Sequence, residues 1–138
     1  MEWRLQLSYD RAAIRNRIIR NFNRPQCQLC GKFVSLNQQL DLHEIINRGR
    51  LGSKENLENL PIELHAVICR ECNSNNGRVT ADSKKGRIHL LKTNAMIYGY
   101  PRLIEVLEDY KHLIPEEYKV IYDISKTYNA STDTLPFI

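Results

Sequence analysis

Four cysteines, arranged in two pairs of identical spacing, are the residues of this sequence that most clearly suggest chemistry. Cys27 and Cys30 form one C-x-x-C motif, and Cys69 and Cys72 form the other. A two-residue spacer lets both sulfurs of one turn face the same ion, so two such motifs supply the four tetrahedral ligands of a structural zinc ion. Such a Zn²⁺ ion would contribute folding free energy to a small domain. The sequence therefore predicts one zinc site.

The 38 residues between the two pairs carry the second group of chemical side chains. Asp41-Leu42-His43-Glu44-Ile45-Ile46 is followed by Arg48-Gly49-Arg50 and by Asn59-Leu60, and Asn73 comes directly after the second cysteine pair. This arrangement, over about residues 25–80, resembles the HNH endonucleases. The resemblance implies a ββα-metal core around one divalent cation, cleavage or nicking of DNA, and an origin in a phage or mobile element.

The resemblance leaves the roles of His43 and Glu44 open. Hydrolysis of a phosphodiester needs a base that activates water and a cation that stabilises the developing charge. In a strict alignment His43 is a metal ligand and Glu44 is the base. In the alternative, His43 is the base, and Asp41, two residues earlier on the same strand face, lies nearer the metal. Mg²⁺ or another divalent cation suits these ligands.

Three further residues are candidates for the same site. Asn73 is the predicted third ligand of the catalytic ion, with Asn75 and Asn76 as alternatives on the same segment. Asn59 is the predicted catalytic asparagine, and Asn56 competes for that position. His65, inside an insertion around residues 61–65, is a possible substitute ligand.

Basic residues flank this segment and indicate a polyanionic partner. Residues 1–35 have a net charge of +5, and residues 73–92 have a net charge of +4. Arginine matches phosphate oxygens bidentately, so Arg48 and Arg50 are expected to contact the scissile or an adjacent phosphate. Sequence-independent contacts to the DNA backbone are expected from Lys84, Lys85 and Arg87.

The elements that must position these residues are short. A strand is expected over residues 40–46, a loop over 47–56, and an apolar run at 66–68 that leads into the second cysteine pair. A helix from Ser8, its cap, to about Phe22 precedes the first pair. Helices are expected at 101–113 and from Pro115 onward, with a frayed tail from Thr127.

The chain is therefore expected to be a small α+β protein. Its predicted divisions are a basic helical segment (1–24), a zinc-bound nuclease core (25–92) and a C-terminal helical appendage (93–138). DNA is the expected partner, and the acidic C-terminal helices are a possible surface for a protein partner. The sequence has neither a membrane-spanning run nor a signal peptide, so a cytoplasmic location is expected, where paired cysteines more often bind metal than form disulfides. The alternatives are a zinc-dependent nucleic-acid-binding module without cleavage and, less favoured by the basic residues, a protein–protein adaptor.

Overall fold

A computed structural model describes residues 10–74 and 80–127, and this part of the chain is an α+β protein, as expected. It contains one two-stranded antiparallel sheet, seven α-helices and two short 3-10 turns, Asn37–Gln39 and Ile62–Leu64. In chain order the helices and strands are α1 (Arg11–Phe22), β1 (Leu40–Glu44), α2 (Arg48–Leu51), α3 (Lys54–Glu58), β2 (His65–Cys69), α4 (Arg70–Asn73), α5 (Lys84–Tyr98), α6 (Tyr100–Leu107) and α7 (Pro115–Thr127).

Strands β1 and β2 form an antiparallel hairpin that contacts both α1 and α4. Leu40 pairs with Cys69 and Glu44 pairs with His65, so the start of β1 lies beside the second cysteine pair. Every residue of β2 is buried, which explains its nearly continuous apolar sequence. Strand β1 ends two residues earlier than expected, and Ile45 and Ile46, which follow it, are completely buried.

Helix α1 packs against both strands and buries Ile18, Ile19 and Phe22. Its first turn is capped by Asp10, whose carboxylate accepts a hydrogen bond of 3.1 Å from the amide of Ala13. The Ser8 that the sequence suggested as a cap lies outside the described residues.

Residues 47–56, expected to be a loop, contain helical turns instead. Asn47 caps α2 through a 2.9 Å bond from the amide of Arg50, and Ser53 caps α3 through a 3.1 Å bond from the amide of Asn56. Gly52, with φ of 85°, ends α2 in the left-handed region. The loop prediction was wrong because side-chain caps satisfy the backbone groups that such short helices leave unpaired.

Helix α5 is the largest element that the sequence pattern did not reveal. It runs for 15 residues from Lys84 to Tyr98, so the division expected between residues 92 and 93 falls inside it. Its pattern is hidden because polar residues share its buried face with leucines. The buried polar residues are Arg87, His89, Thr93 and Asn94.

The two C-terminal helices pack against α5 and against each other. Helix α6 ends at Leu107, well before the expected residue 113, because turns occupy residues 108–114. Helix α7 begins at Pro115 as expected, and residues 128–138 lie outside the described part of the chain. Within residues 10–74 and 80–127, none of the helices has the length and apolar run that a bilayer crossing requires.

Candidate functional site

The four cysteines meet in one cluster that is suited to a metal ion such as zinc. Their sulfur atoms all lie within 4.8 Å of one another. Two of the separations, Cys27 Sγ to Cys72 Sγ and Cys30 Sγ to Cys69 Sγ, are both 3.8 Å. Four sulfurs placed tetrahedrally about 2.3 Å from a zinc ion are separated by about 3.8 Å, whereas a disulfide requires about 2.05 Å. The donor set and its spacing therefore fit a tetrahedral ion and not a disulfide.

Each cysteine pair is shaped by its own backbone turn. In the first, Gly31 adopts φ of 85°, and the amide of Cys27 donates to the carbonyl of Lys32 at 2.8 Å. The amide of Cys30 points at Cys27 Sγ, 3.4 Å away, as expected for a metal-binding turn. In the second, Cys69 is the last residue of β2 and Cys72 lies in the single turn of α4.

Burial makes ionisation of the second cysteine pair costly without a cation. It raises the pKa of the Cys69 thiol to about 11. It also raises the pKa of the Cys72 thiol, and the neighbouring Cys27 adds to that effect. A divalent cation reverses this preference because thiolates are the species that bind zinc.

A buried polar network fixes the first cysteine pair to the hairpin and to α5. Gln28 is completely buried, and its Oε1 accepts a 2.8 Å hydrogen bond from the amide of Val67. Its Nε2 donates to Asn94 Oδ1 at 2.6 Å. Asn94 in turn donates to the carbonyls of Glu63 and His65, both at 2.8 Å. This network gives a structural reason for the buried polar positions of α5.

Two of the three predicted ligands of the catalytic ion lie side by side. Asp41 Oδ2 accepts a hydrogen bond of 3.1 Å from Asn73 Nδ2. Its other oxygen, Oδ1, accepts from Arg70 Nε at 3.2 Å. The contact exists because the start of β1 lies opposite the end of β2, and Asn73 is the last residue of α4, which directly follows β2.

His43, the third predicted ligand, follows Asp41 by two residues on β1. Its Nε2 is buried and has no hydrogen-bond partner among the described residues. Burial lowers the pKa of the imidazole, an effect that the nearby negative charges of Asp82 and Glu44 oppose. The ring is therefore neutral at neutral pH.

Glu44 occupies the next position of the strand and so points to the other face. Its carboxylate forms an ion pair with the guanidinium of Arg11 from α1. Arg11 also donates from Nη2 to the carbonyl of Leu42 at 2.8 Å. Glu44 is thus committed to a contact between β1 and α1.

Asp82, which no motif singled out, is held beside the end of β1. Its Oδ2 accepts from Asn47 Nδ2 at 3.2 Å, and its backbone carbonyl accepts from Arg87 Nη1 at 3.0 Å. The Arg87 side chain is only 7% exposed, and its Nε donates to Glu117 of α7 at 2.6 Å. Arg87, expected to contact a DNA phosphate, is therefore an interior residue that joins α5 to α7.

A basic cleft of about 460 Å³ opens beside Asp41 and Asn73. Arg11 and Arg15 of α1 and Arg70 of α4 line this cleft. The charge of the N-terminal helix was evident in the sequence, but its position against the free edge of β1 was not. Arg70 lies between the two cysteines of the second pair, where no charge pattern distinguished it.

The other predicted site residues lie elsewhere. Asn59 is exposed at the end of α3, whereas Asn56 donates to the carbonyl of Leu51 at 2.7 Å and orders the turns after β1. His65 is buried, with Nδ1 2.9 Å from the carbonyl oxygen of Pro61, and Asn75 and Asn76 lie outside the described residues.

The predicted phosphate contacts also differ in their surroundings. Arg48 is exposed and lines a second pocket, which Arg11 also lines. Arg50 donates to the carbonyl of Leu113 at 3.2 Å, and Lys84 pairs with Glu116 at 3.3 Å, so both contact the segment around the start of α7. Lys85 is exposed on α5.

Comparison of the chain with family models, with curated proteins and with solved structures finds no match.

Proposed function

We propose that this chain is a metal-dependent endonuclease of HNH type, with a zinc-stapled ββα-metal core, that hydrolyses phosphodiester bonds in DNA. The observation that supports the proposal is the 3.1 Å contact between Asp41 and Asn73, with His43 two residues further along β1. Asp41 and Asn73 are 32 residues apart in the sequence, yet they meet at a cleft that three arginines also line.

The donor set at this point fits a hard divalent cation. A carboxylate and a side-chain amide provide oxygen ligands of the kind that Mg²⁺ and Mn²⁺ prefer. Asp41 and Asn73 would hold the ion, with the amide turned so that its oxygen replaces its nitrogen. When bound, the cation would stabilise negative charge on the phosphate and on the leaving oxygen.

Among the protein groups, His43 suits the role of general base better than Glu44. Its neutral imidazole would accept the proton of the attacking water, whose oxygen forms the new bond to phosphorus as the phosphorus–oxygen bond to the leaving group breaks. Glu44 points away from Asp41 and is neutralised by Arg11. Arg15 and Arg70 would orient the phosphate through their guanidinium groups.

Incubation of zinc-loaded protein with supercoiled plasmid and Mg²⁺, Mn²⁺ or Ni²⁺ tests the proposal. We expect relaxed or linear products with the parent protein. Asp41→Asn should lower cleavage by weakening the affinity for the divalent cation, and higher cation concentrations should partly restore activity. Cleavage by Asp41→Asn equal to that of the parent at every cation concentration would contradict the assignment.

The second candidate function is binding of nucleic acid without cleavage. The three arginines beside Asp41 favour it, since they fit phosphates whether or not a bond is broken. Salt-sensitive DNA binding without products under any of the three cations would support this function and reject hydrolysis.

A further inference from the structure

A second pocket, of about 410 Å³, shares Arg11 with the cleft at Asp41. It is formed between the start of α1 and the two short helices that follow β1. Arg48, Lys54 and the buried Leu57 are among its lining residues. Its volume falls within the range of about 300–1,000 Å³ that is typical of small-molecule sites.

The lining of this pocket combines apolar surface with positive charge. Leu57 is 5% exposed and provides an apolar floor. Arg48 and Lys54 stand on the exposed side, and Glu58 is the acidic residue of the lining. A ligand with a flat, weakly polar body and a negatively charged group satisfies both features, and a nucleotide, with its base and phosphate, has this composition.

Arg11 connects this pocket with the cleft because it lines both. Its guanidinium is fixed in orientation by Glu44 on one nitrogen and by the Leu42 carbonyl, 2.8 Å away, on the other. A guanidinium held in this way can stack on a base without losing further side-chain entropy. The two cavities thus share one oriented arginine, and each has further basic residues in its lining.

We propose that this pocket receives one unstacked nucleotide of the strand whose phosphate lies in the cleft at Asp41. The inference rests on the proposed function and specifies its substrate class, which is nucleic acid with an unpaired nucleotide next to the bond that is cut. In a continuous duplex each base remains stacked and paired, so the pocket stays empty and the binding free energy of that contact is lost.

Binding measurements on the His43→Ala variant test this inference separately from cleavage. The zinc-loaded variant is titrated against a duplex with a single unpaired adenine and against the same duplex without it. We expect the bulged DNA to bind at least about ten-fold more tightly than the continuous duplex, because the stacking of one base contributes a binding free energy of this size. An unpaired 2-aminopurine in the same position should change its fluorescence on binding.

Substitutions of pocket residues then show whether this pocket causes the preference for bulged DNA. Arg48→Ala combined with Lys54→Ala should abolish the difference between the two DNAs. The control, Lys119→Ala combined with Lys126→Ala, removes the same amount of charge from the exposed surface of α7. This control variant should retain the difference in affinity between the two DNAs. Zinc content and thermal unfolding check that each variant is folded, and Arg48→Gln serves as a milder single change.

The outcomes distinguish the two proposals. Equal affinity for bulged and continuous DNA, or a preference that persists without Arg48 and Lys54, overturns the nucleotide pocket even if the parent protein cuts plasmid. A preference that depends on Arg48 and Lys54 supports the pocket, even if the parent protein proves unable to cut DNA under any cation.

Discussion

At the scale of single residues, the alternation of a β-strand separates two neighbours that the sequence could not distinguish. His43 and Glu44 are adjacent, and both residue types serve as general bases. The structure places Glu44 in an ion pair with Arg11, whereas His43 follows Asp41 on the same strand face. The carboxylate of Glu44 is thus engaged by Arg11, whereas Nε2 of His43 has no hydrogen-bond partner among the described residues.

Substitution of these two residues should therefore give different results. Glu44→Gln keeps the shape and a hydrogen-bond acceptor for Arg11, so the contact between β1 and α1 is retained. We therefore expect plasmid cleavage within about three-fold of the parent, since an ion pair with one solvent-exposed partner contributes little. His43→Ala should lower cleavage by about 100-fold or more, as the loss of a general base does. The rate of plasmid cleavage at saturating Mn²⁺, compared with that of the parent, measures the effect of each substitution.

Circular dichroism and zinc content provide the control that each variant is folded. A Glu44→Gln protein that loses cleavage as severely as His43→Ala would show that the carboxylate, and not the imidazole, takes the proton.

At the scale of elements, the cysteine cluster holds both ends of the site in place. Cys69 is the last residue of the strand that pairs with β1, and Cys72 immediately precedes Asn73. Loss of the metal should consequently free α4 and separate Asn73 from Asp41.

Replacing Cys72 by Ser should remove the zinc ion and the cooperative unfolding transition. The free energy of zinc binding is coupled to folding and reaches about 10–16 kcal/mol in small zinc domains, comparable to the whole stability of a protein of this size. Elemental analysis and thermal unfolding measure the two effects. Chelated parent protein should regain its transition when zinc is added back, and Cys72→Ser should not; a stable, zinc-free Cys72→Ser protein would contradict this role.

The docking of α5 depends on a glycine. A Cβ atom at Gly86 would lie 2.2 Å from the carbonyl oxygen of Thr80 and 2.8 Å from that of Ala81. These are backbone atoms, so the chain before α5 would have to move. We expect Gly86→Ala to lower the free energy of unfolding by about 1–3 kcal/mol, the usual cost of overpacking.

Gly49→Ala is the matched control, because its added Cβ would meet only Asn47 Oδ1, at 3.5 Å. Alanine is the better helix former by about 1 kcal/mol, so this substitution in α2 should be neutral or stabilising. Urea unfolding of both variants measures the change in the free energy of unfolding. Equal changes for Gly86→Ala and Gly49→Ala would show that the close approach at Gly86 does not limit stability.

At the scale of the whole molecule, the parts predicted from the sequence are those encoded by local patterns. The two C-x-x-C motifs, the apolar run of β2 and the polar strand β1 each carry their own signal within a few residues. Helix α5 does not, because residues such as Asn94 and Arg87 are buried by partners more than 20 residues away in the sequence. Arg11 and Arg70 became candidates only once the fold had brought α1 and α4 to the edge of β1.

The buried histidines should make the stability of the whole molecule sensitive to acid. Burial is the main cause that lowers the pKa of His65 and of His89. In the unfolded chain both titrate near pH 6.5, so below that pH the unfolded state binds more protons than the folded state. The free energy of unfolding is therefore expected to be highest above pH 6.5 and to fall as the pH drops through the lowered folded-state values.

Urea unfolding at pH 7.5, 6.5 and 5.5 measures this dependence, with zinc content determined at each pH so that acid release of the metal is recognised. His89→Gln keeps a polar side chain of similar size but cannot take up a proton, so the loss of stability between pH 6.5 and 5.5 should be smaller in this variant than in the parent. An unfolding free energy that stays constant from pH 7.5 to 5.5 in zinc-loaded protein would mean that protonation of these histidines is not opposed by the fold.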